Sequence, residues 1–167
     1  MKKRLFKGLV LPLLLIFGAY IGVISFDELN PPAEQSDAYT VVRVVDGDTI
    51  IVDMDGVKER IRFIGLDTPE SVHPDEEHNV EYGEIAAAFT AEQLEGKTVT
   101  LEFDVEKRDQ YDRLLAYVYL DGKMFNKTLL EEGHAKVTTY PPNVRYVDNF
   151  TALQKQAREA GKGIWAE

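Results

Sequence analysis

From Tyr39 to Leu66 the sequence alternates β-branched runs with glycine turns, a pattern that few folds accept. Tyr39 to Val45 holds Val41, Val42, Val44 and Val45; Thr49 to Asp53 and Lys58 to Leu66 continue in the same manner. Asp46-Gly47-Asp48 and Asp55-Gly56 separate the three runs. β-branched residues fit a pleated, half-buried surface, and Asp-Gly is a strong hairpin signal. A three-stranded antiparallel meander is predicted, with Gly47 free to take a positive φ. Its first and third strands run the same way, so the Asp48 turn and the end of the third strand can converge.

The third run closes in Arg62-Phe63-Ile64-Gly65-Leu66-Asp67-Thr68-Pro69-Glu70. Phe63 to Leu66 is predicted as buried strand. Pro69 fixes its own φ and pushes Thr68 toward an extended conformation, which sets Asp67 and Glu70 on a stiff turn. Carboxylates with a backbone carbonyl suit a hard cation such as Ca²⁺. Arginine suits a phosphate gripped at two points. Asp48, Asp67 and the Thr68 carbonyl are therefore candidate metal ligands. Arg62 is a candidate phosphate ligand, and Glu70 a candidate general base or water-positioner. Taken singly, each turn is also an ordinary turn, and each arginine an ordinary surface ion pair worth little.

Past an acidic stretch from Ser71 to Tyr82, read as an exposed loop, Glu84 to Glu95 places Ile85, Ala88, Phe89 and Leu94 at helical spacing, and Gly96 stops it. Lys97 to Val105 and Leu114 to Leu120 alternate as strands, the second turned by Asp121-Gly122. Asn126 to Glu132 and Val147 to Ala160 read as helices, with an extended Ala135 to Thr139 and a rigid Tyr140-Pro141-Pro142-Asn143 loop between them. Five main strands and about three helices predict an α+β chain built on a small Greek-key barrel of OB type. An open α+β sheet is the alternative that periodicity leaves standing. Arg113, in the polar turn Asp109-Gln110-Tyr111-Asp112-Arg113, is a second candidate phosphate ligand. Tyr111 and Tyr140 are candidate stacking platforms for nucleobases, or half-buried rim tyrosines.

Composition narrows the chemistry. The 167 residues hold no cysteine, which excludes disulfides, thiolate nucleophiles and Cys-ligated zinc. His73, His78 and His134 have no zinc-site spacing. Lys2, Lys3, Arg4 and Lys7 precede nineteen uncharged residues, Gly8 to Phe26, the pattern of an export signal. Its length favours an uncleaved membrane anchor over cleavage after Ser25, with the remainder outside the cytoplasm. Residues 27–38 read as a linker, and 39–167 as one domain. Beyond residue 26 the chain carries 15 basic and 29 acidic residues, a net −14, which opposes long-range attraction of nucleic acid.

The segments VVDGDTI, RFIGLDTPE, YGEIAAAFT, DQYDRLLAYVYLDGK and GKGIW, in this order, resemble the staphylococcal nuclease family over residues 39–166. The resemblance implies an OB barrel with three helices and Ca²⁺-dependent hydrolysis of DNA and RNA to 3′-phosphate products. It puts Asp48, Asp67 and the Thr68 carbonyl at the metal, Arg62 and Arg113 on the phosphate, Glu70 as the catalytic glutamate and Tyr111 near the nucleotide phosphate. A monomer is expected. Three departures stand out. Asp112 replaces a usual glycine and is expected to pair with Arg113, blunting its grip. The 71–82 loop is acidic, and Thr139 leaves Tyr140 as the only aromatic residue on its segment. A barrel that binds nucleic acid or protein without chemistry is the rival reading, and a structural Ca²⁺-binding surface protein is a third. The complete set of three carboxylates and two arginines favours catalysis.

Overall fold

The computed structural model describes residues 37–70 and 81–166. The predicted export segment, nearly all of the linker and most of the acidic loop lie outside the described residues. Among the described residues, no helix is long and apolar enough to cross a membrane.

The meander forms as β1 (Ala38–Asp46), β2 (Thr49–Met54) and β3 (Val57–Phe63). β5 (Thr98–Glu102) pairs antiparallel with β1, and β6 (Leu114–Leu120) antiparallel with β5; β4 (Leu66–Asp67) lies outside this sheet. Parallel pairing of β3 with β6, Ile61 opposite Leu114 and Phe63 opposite Ala116, closes the five strands into a barrel. That pairing excludes the open sheet and confirms the predicted barrel. Ile50, Val52, Ile61, Leu101, Ala116 and Val118 are fully buried inside it. Each large aliphatic side chain so buried contributes about 1.5–3 kcal/mol. The remaining elements are α1 (Glu81–Leu94), β7 (Lys123–Met124), α2 (Phe125–Glu131), β8 (Lys136–Val137) and α3 (Val147–Glu159).

Three local expectations need correction. The third strand does not run on to Leu66. It ends at Phe63, and Gly65 at φ +85° turns the chain so that Leu66 and Asp67 pair with Val137 and Lys136 of β8. A Cβ on Gly65 would also lie 2.7 Å from the Phe150 ring, so α3 packs where only glycine leaves room. Gly47 is not needed for a positive φ. A Cβ there would lie 2.8 Å from the Thr68 hydroxyl, so the glycine brings the two site turns together. On α1 the buried stripe is Ala86, Thr90 and Leu94, while Ile85 is 43% exposed and Ala88 faces solvent. Small residues let the helix approach closely, and the Thr90 hydroxyl donates to the Gly47 carbonyl at 2.7 Å.

Sequence periodicity did not reveal a polar knot in the core. Glu102 is fully buried and accepts from the Tyr119 hydroxyl at 2.5 Å and the Tyr146 hydroxyl at 3.0 Å. Asp104 accepts from the Tyr117 hydroxyl at 3.0 Å, and Arg145 lies 3.5 Å from Glu102. Burial, reinforced by these carboxylates, pushes Tyr117 and Tyr119 far above the ordinary tyrosine range and Tyr146 up to about 12. All three hydroxyls therefore stay protonated and act as donors. The knot ties the barrel wall to the start of α3.

Candidate active site

The β1–β2 hairpin presents Asp48, which is buried at 1% exposure. Its Oδ2 accepts from the Thr68 amide at 2.8 Å and the Thr68 hydroxyl at 3.1 Å, and its Oδ1 from the Thr49 hydroxyl at 3.1 Å. Thr49 stands opposite Arg62 in the β2–β3 register, which sets the arginine beside this turn. The Arg62 guanidinium then bridges two carboxylates: one terminal nitrogen pairs with Asp48 Oδ1, the other with Asp67 Oδ1. Two carboxylates from separate turns are thus gathered within the span of one guanidinium.

Glu70 follows on the same turn. Burial holds its carboxyl above the ordinary glutamate range; the negative charges of Asp46 and Asp67 add to this, and Arg62 opposes it. A hydrogen bond links the Glu70 and Asp46 carboxyls. Asp46 is itself 9% exposed and has its Oδ1 on the Gly47 amide at 2.8 Å. In the sequence alone Asp46 is a turn residue. The signal was there in the spacing of Asp46 and Asp48 around one glycine.

The loop before β6 supplies the second arginine. Arg113 does not pair with Asp112. Its Nε donates to Asp109 Oδ2 at 2.7 Å, while the Tyr111 and Arg113 amides both donate to Asp109 Oδ1 at 2.9 Å. Burial works to raise the Asp109 carboxyl, but these donors outweigh it and hold the group below its ordinary range. Asp109 leaves the two terminal nitrogens of Arg113 for a ligand. The i,i+4 spacing of Asp109 and Arg113 is the legible signal of this pair. Asp112 sits at φ +62° with its side chain turned toward Arg108, 3.5 Å away. Arg108 is held chiefly by Glu59, at 3.0 and 3.1 Å. An aspartate in the left-handed region is strained relative to glycine. Asp112→Gly is expected to raise stability by about 0.5–1 kcal/mol in a urea melt and to leave kcat unchanged.

Arg62, Arg113, Tyr111 and Tyr140 line one cleft of about 540 Å³ together with Leu115 and Asn143. Tyr111 and Tyr140 are 71% and 73% exposed, so both are rim residues available to a ligand. The Arg113 guanidinium lies 5.5 Å from the Tyr111 ring. Asn143 is buried and clamps the Glu106 backbone at both ends, each at 2.8 Å, which fixes one wall of the cleft.

The donors around Asp48 and Asp67 are oxygens only, the set a hard cation takes. No group of three or more acidic or histidine side chains gathers round one point among the described residues. A cation would therefore draw on two carboxylates, a main-chain carbonyl and water. The set suits a hard cation, and Arg62 is the charge that holds the same carboxylates together.

Comparison with known proteins decides the family. The family model described as staphylococcal nuclease homologue matches residues 60–167. The chain belongs to the staphylococcal nuclease family. It is 46% identical over 128 residues to a thermonuclease of Staphylococcus hyicus, covering 77% of this chain and 75% of that protein. It is 43% identical over 159 residues to a thermonuclease of Staphylococcus intermedius, covering 90% and 94%. Endonuclease YncB of Bacillus subtilis is 42% identical over 130 residues, covering 77% of this chain and 61% of that protein. The staphylococcal nuclease resemblance noted in the sequence is thereby established for the barrel described above.

Proposed function

We propose that this chain, a nuclease and hence a hydrolase by family, cleaves phosphodiester bonds of DNA and RNA with Ca²⁺, leaving 3′-phosphate ends, outside the cytoplasm. The observation that carries the reading is the Arg62 bridge, which gathers Asp48 and Asp67 at the edge of a cleft that Arg113 also lines. Asp48, Asp67 and the Thr68 carbonyl would hold the cation. When bound, Ca²⁺ supplies positive charge against the scissile phosphate and a template for water.

The residues of the chain do the rest. Arg113, oriented through Nε by Asp109, offers a two-nitrogen fork to phosphoryl oxygens. Arg62 offers the second positive group, and both stabilise charge that grows on those oxygens in the transition state. Glu70 takes a proton from the attacking water; a carboxyl held above its ordinary range is the better base for it. Tyr111 and Tyr140 present exposed rings on which bases of any sequence can stack. Residues 8–26 would tether the enzyme to the membrane, and the barrel would act as a monomer.

Incubating the protein with single-stranded DNA and with RNA, in Ca²⁺ and in chelator, tests this. Expected are fragments ending in 3′-phosphate, formed only with Ca²⁺. Fragments ending in 5′-phosphate, or equal cleavage in chelator, would refute the chemistry.

A further inference from the structure

The outer face of the meander carries a group of cations that the catalytic set does not use. On β3, Ile61 and Phe63 are buried, so by strand alternation Lys58, Arg60 and Arg62 share the opposite face. Successive residues of that face are about 7 Å apart along a strand. In the neighbouring register Arg60 stands opposite Ile51, and Ile51 opposite Arg43, two strand spacings or about 10 Å away. Arg43, Lys58 and Arg60 are all exposed, and among the described residues no ion pair engages any of them. Asp53, opposite Lys58, is the acidic residue nearest in register, and its Oδ1 accepts from the Gly56 amide at 2.7 Å.

We propose that Arg43, Lys58 and Arg60 form a phosphate track along which a single-stranded substrate continues past Arg62. This rests on the nuclease reading and extends it to the part of the strand that is not being cut. Two observations select the occupant. The track lies on the same strand face as Arg62, so a backbone phosphate held there leads directly onto it. It is also a cationic face on a chain whose balance beyond residue 26 is −14, where like charge elsewhere would repel a polyanion. With a screening length of about 8 Å at physiological salt, such a face acts on a strand already in contact, not on one at a distance. Long substrates gain from it, and very short ones do not.

The test compares the full-length protein with the triple variant Arg43→Gln, Lys58→Gln, Arg60→Gln. Binding of a 20-nucleotide single strand is followed by fluorescence anisotropy in chelator across a salt series. Each phosphate contact contributes about 0.7 to the log–log salt slope for single strands, so the variant's slope should be shallower by about 2. In Ca²⁺, KM for the 20-mer should rise, while KM for a trinucleotide and kcat for both stay unchanged. An unchanged slope with a normal melting temperature would overturn the track. So would loss of binding to phosphatidylserine vesicles with DNA binding intact, which would make the face a membrane contact. Binding is read without cleavage, so a wild type that cuts nothing would refute the nuclease reading while the slope still decides this proposal.

Discussion

Arg62→Gln is expected to lower kcat/KM by about 10²–10³-fold and, without added divalent cation, to lower stability by about 1–3 kcal/mol. The activity loss follows from removing one of the two cationic groups of the cleft proposed to hold the phosphate. The stability loss follows from Asp48, which is buried at 1% exposure and loses its guanidinium partner. Three donors from Thr49 and Thr68 remain on Asp48, so the loss stays well short of that for a buried charge left bare. A third effect has the opposite sign. Arg62 places positive charge between the two carboxylates a cation would use, so its removal should strengthen Ca²⁺ binding. Melting curves with and without Ca²⁺ check this: the Ca²⁺-induced rise in Tm should be larger in the variant. Equal rises would separate the Arg62 bridge from the metal site.

The second large effect lies away from the chemistry. Glu102→Ala is expected to cost about 3–5 kcal/mol, a fall in Tm of roughly 10–20 °C for a domain of this size. The mutation removes the acceptor of two buried hydroxyls, Tyr119 and Tyr146, and leaves both without their partner in the core. It also removes the negative charge beside Arg145. Glu102→Gln keeps an acceptor oxygen and should lose less than half as much. If thermal melts place alanine and glutamine together near wild type, the knot does not hold α3 to the barrel. Activity per folded molecule at low temperature should change little, because Glu102 and the tyrosines it ties do not line the cleft.

Much of the fold was legible because its first half is built from short-range signals. β-branched alternation and two Asp-Gly turns were enough for β1, β2 and β3, and the shared direction of β1 and β3 was enough to bring Asp48 toward Asp67. Closure of the barrel was less direct, since parallel pairing of β3 with β6 joins Ile61 to Leu114 and leaves no local trace. The end of β3 was misplaced because an apolar run does not reveal that Gly65 turns it. On α1, counting apolar residues favoured Ile85 over Thr90, yet Thr90 lies in the buried stripe and its hydroxyl bonds the Gly47 carbonyl. At the site, residue type identified the carboxylates and arginines that converge. It missed the groups that support them, Asp109 behind Arg113 and Asp46 beside Glu70, and it missed Asn143, which clamps the Glu106 backbone at the cleft wall. Such supporting groups act through a second residue, so their role becomes visible only once the loops are folded together.

The most direct measurement is the single-turnover rate of single-stranded DNA cleavage by wild type and Glu70→Gln at saturating Ca²⁺, with Ca²⁺ affinity measured on both. Loss of a general base predicts a fall of about 10²–10⁴-fold, with Ca²⁺ affinity and Tm preserved. Equal rates in the two proteins, with Ca²⁺ still required, would contradict the assignment of Glu70 and leave the site a metal-and-phosphate clamp without its base.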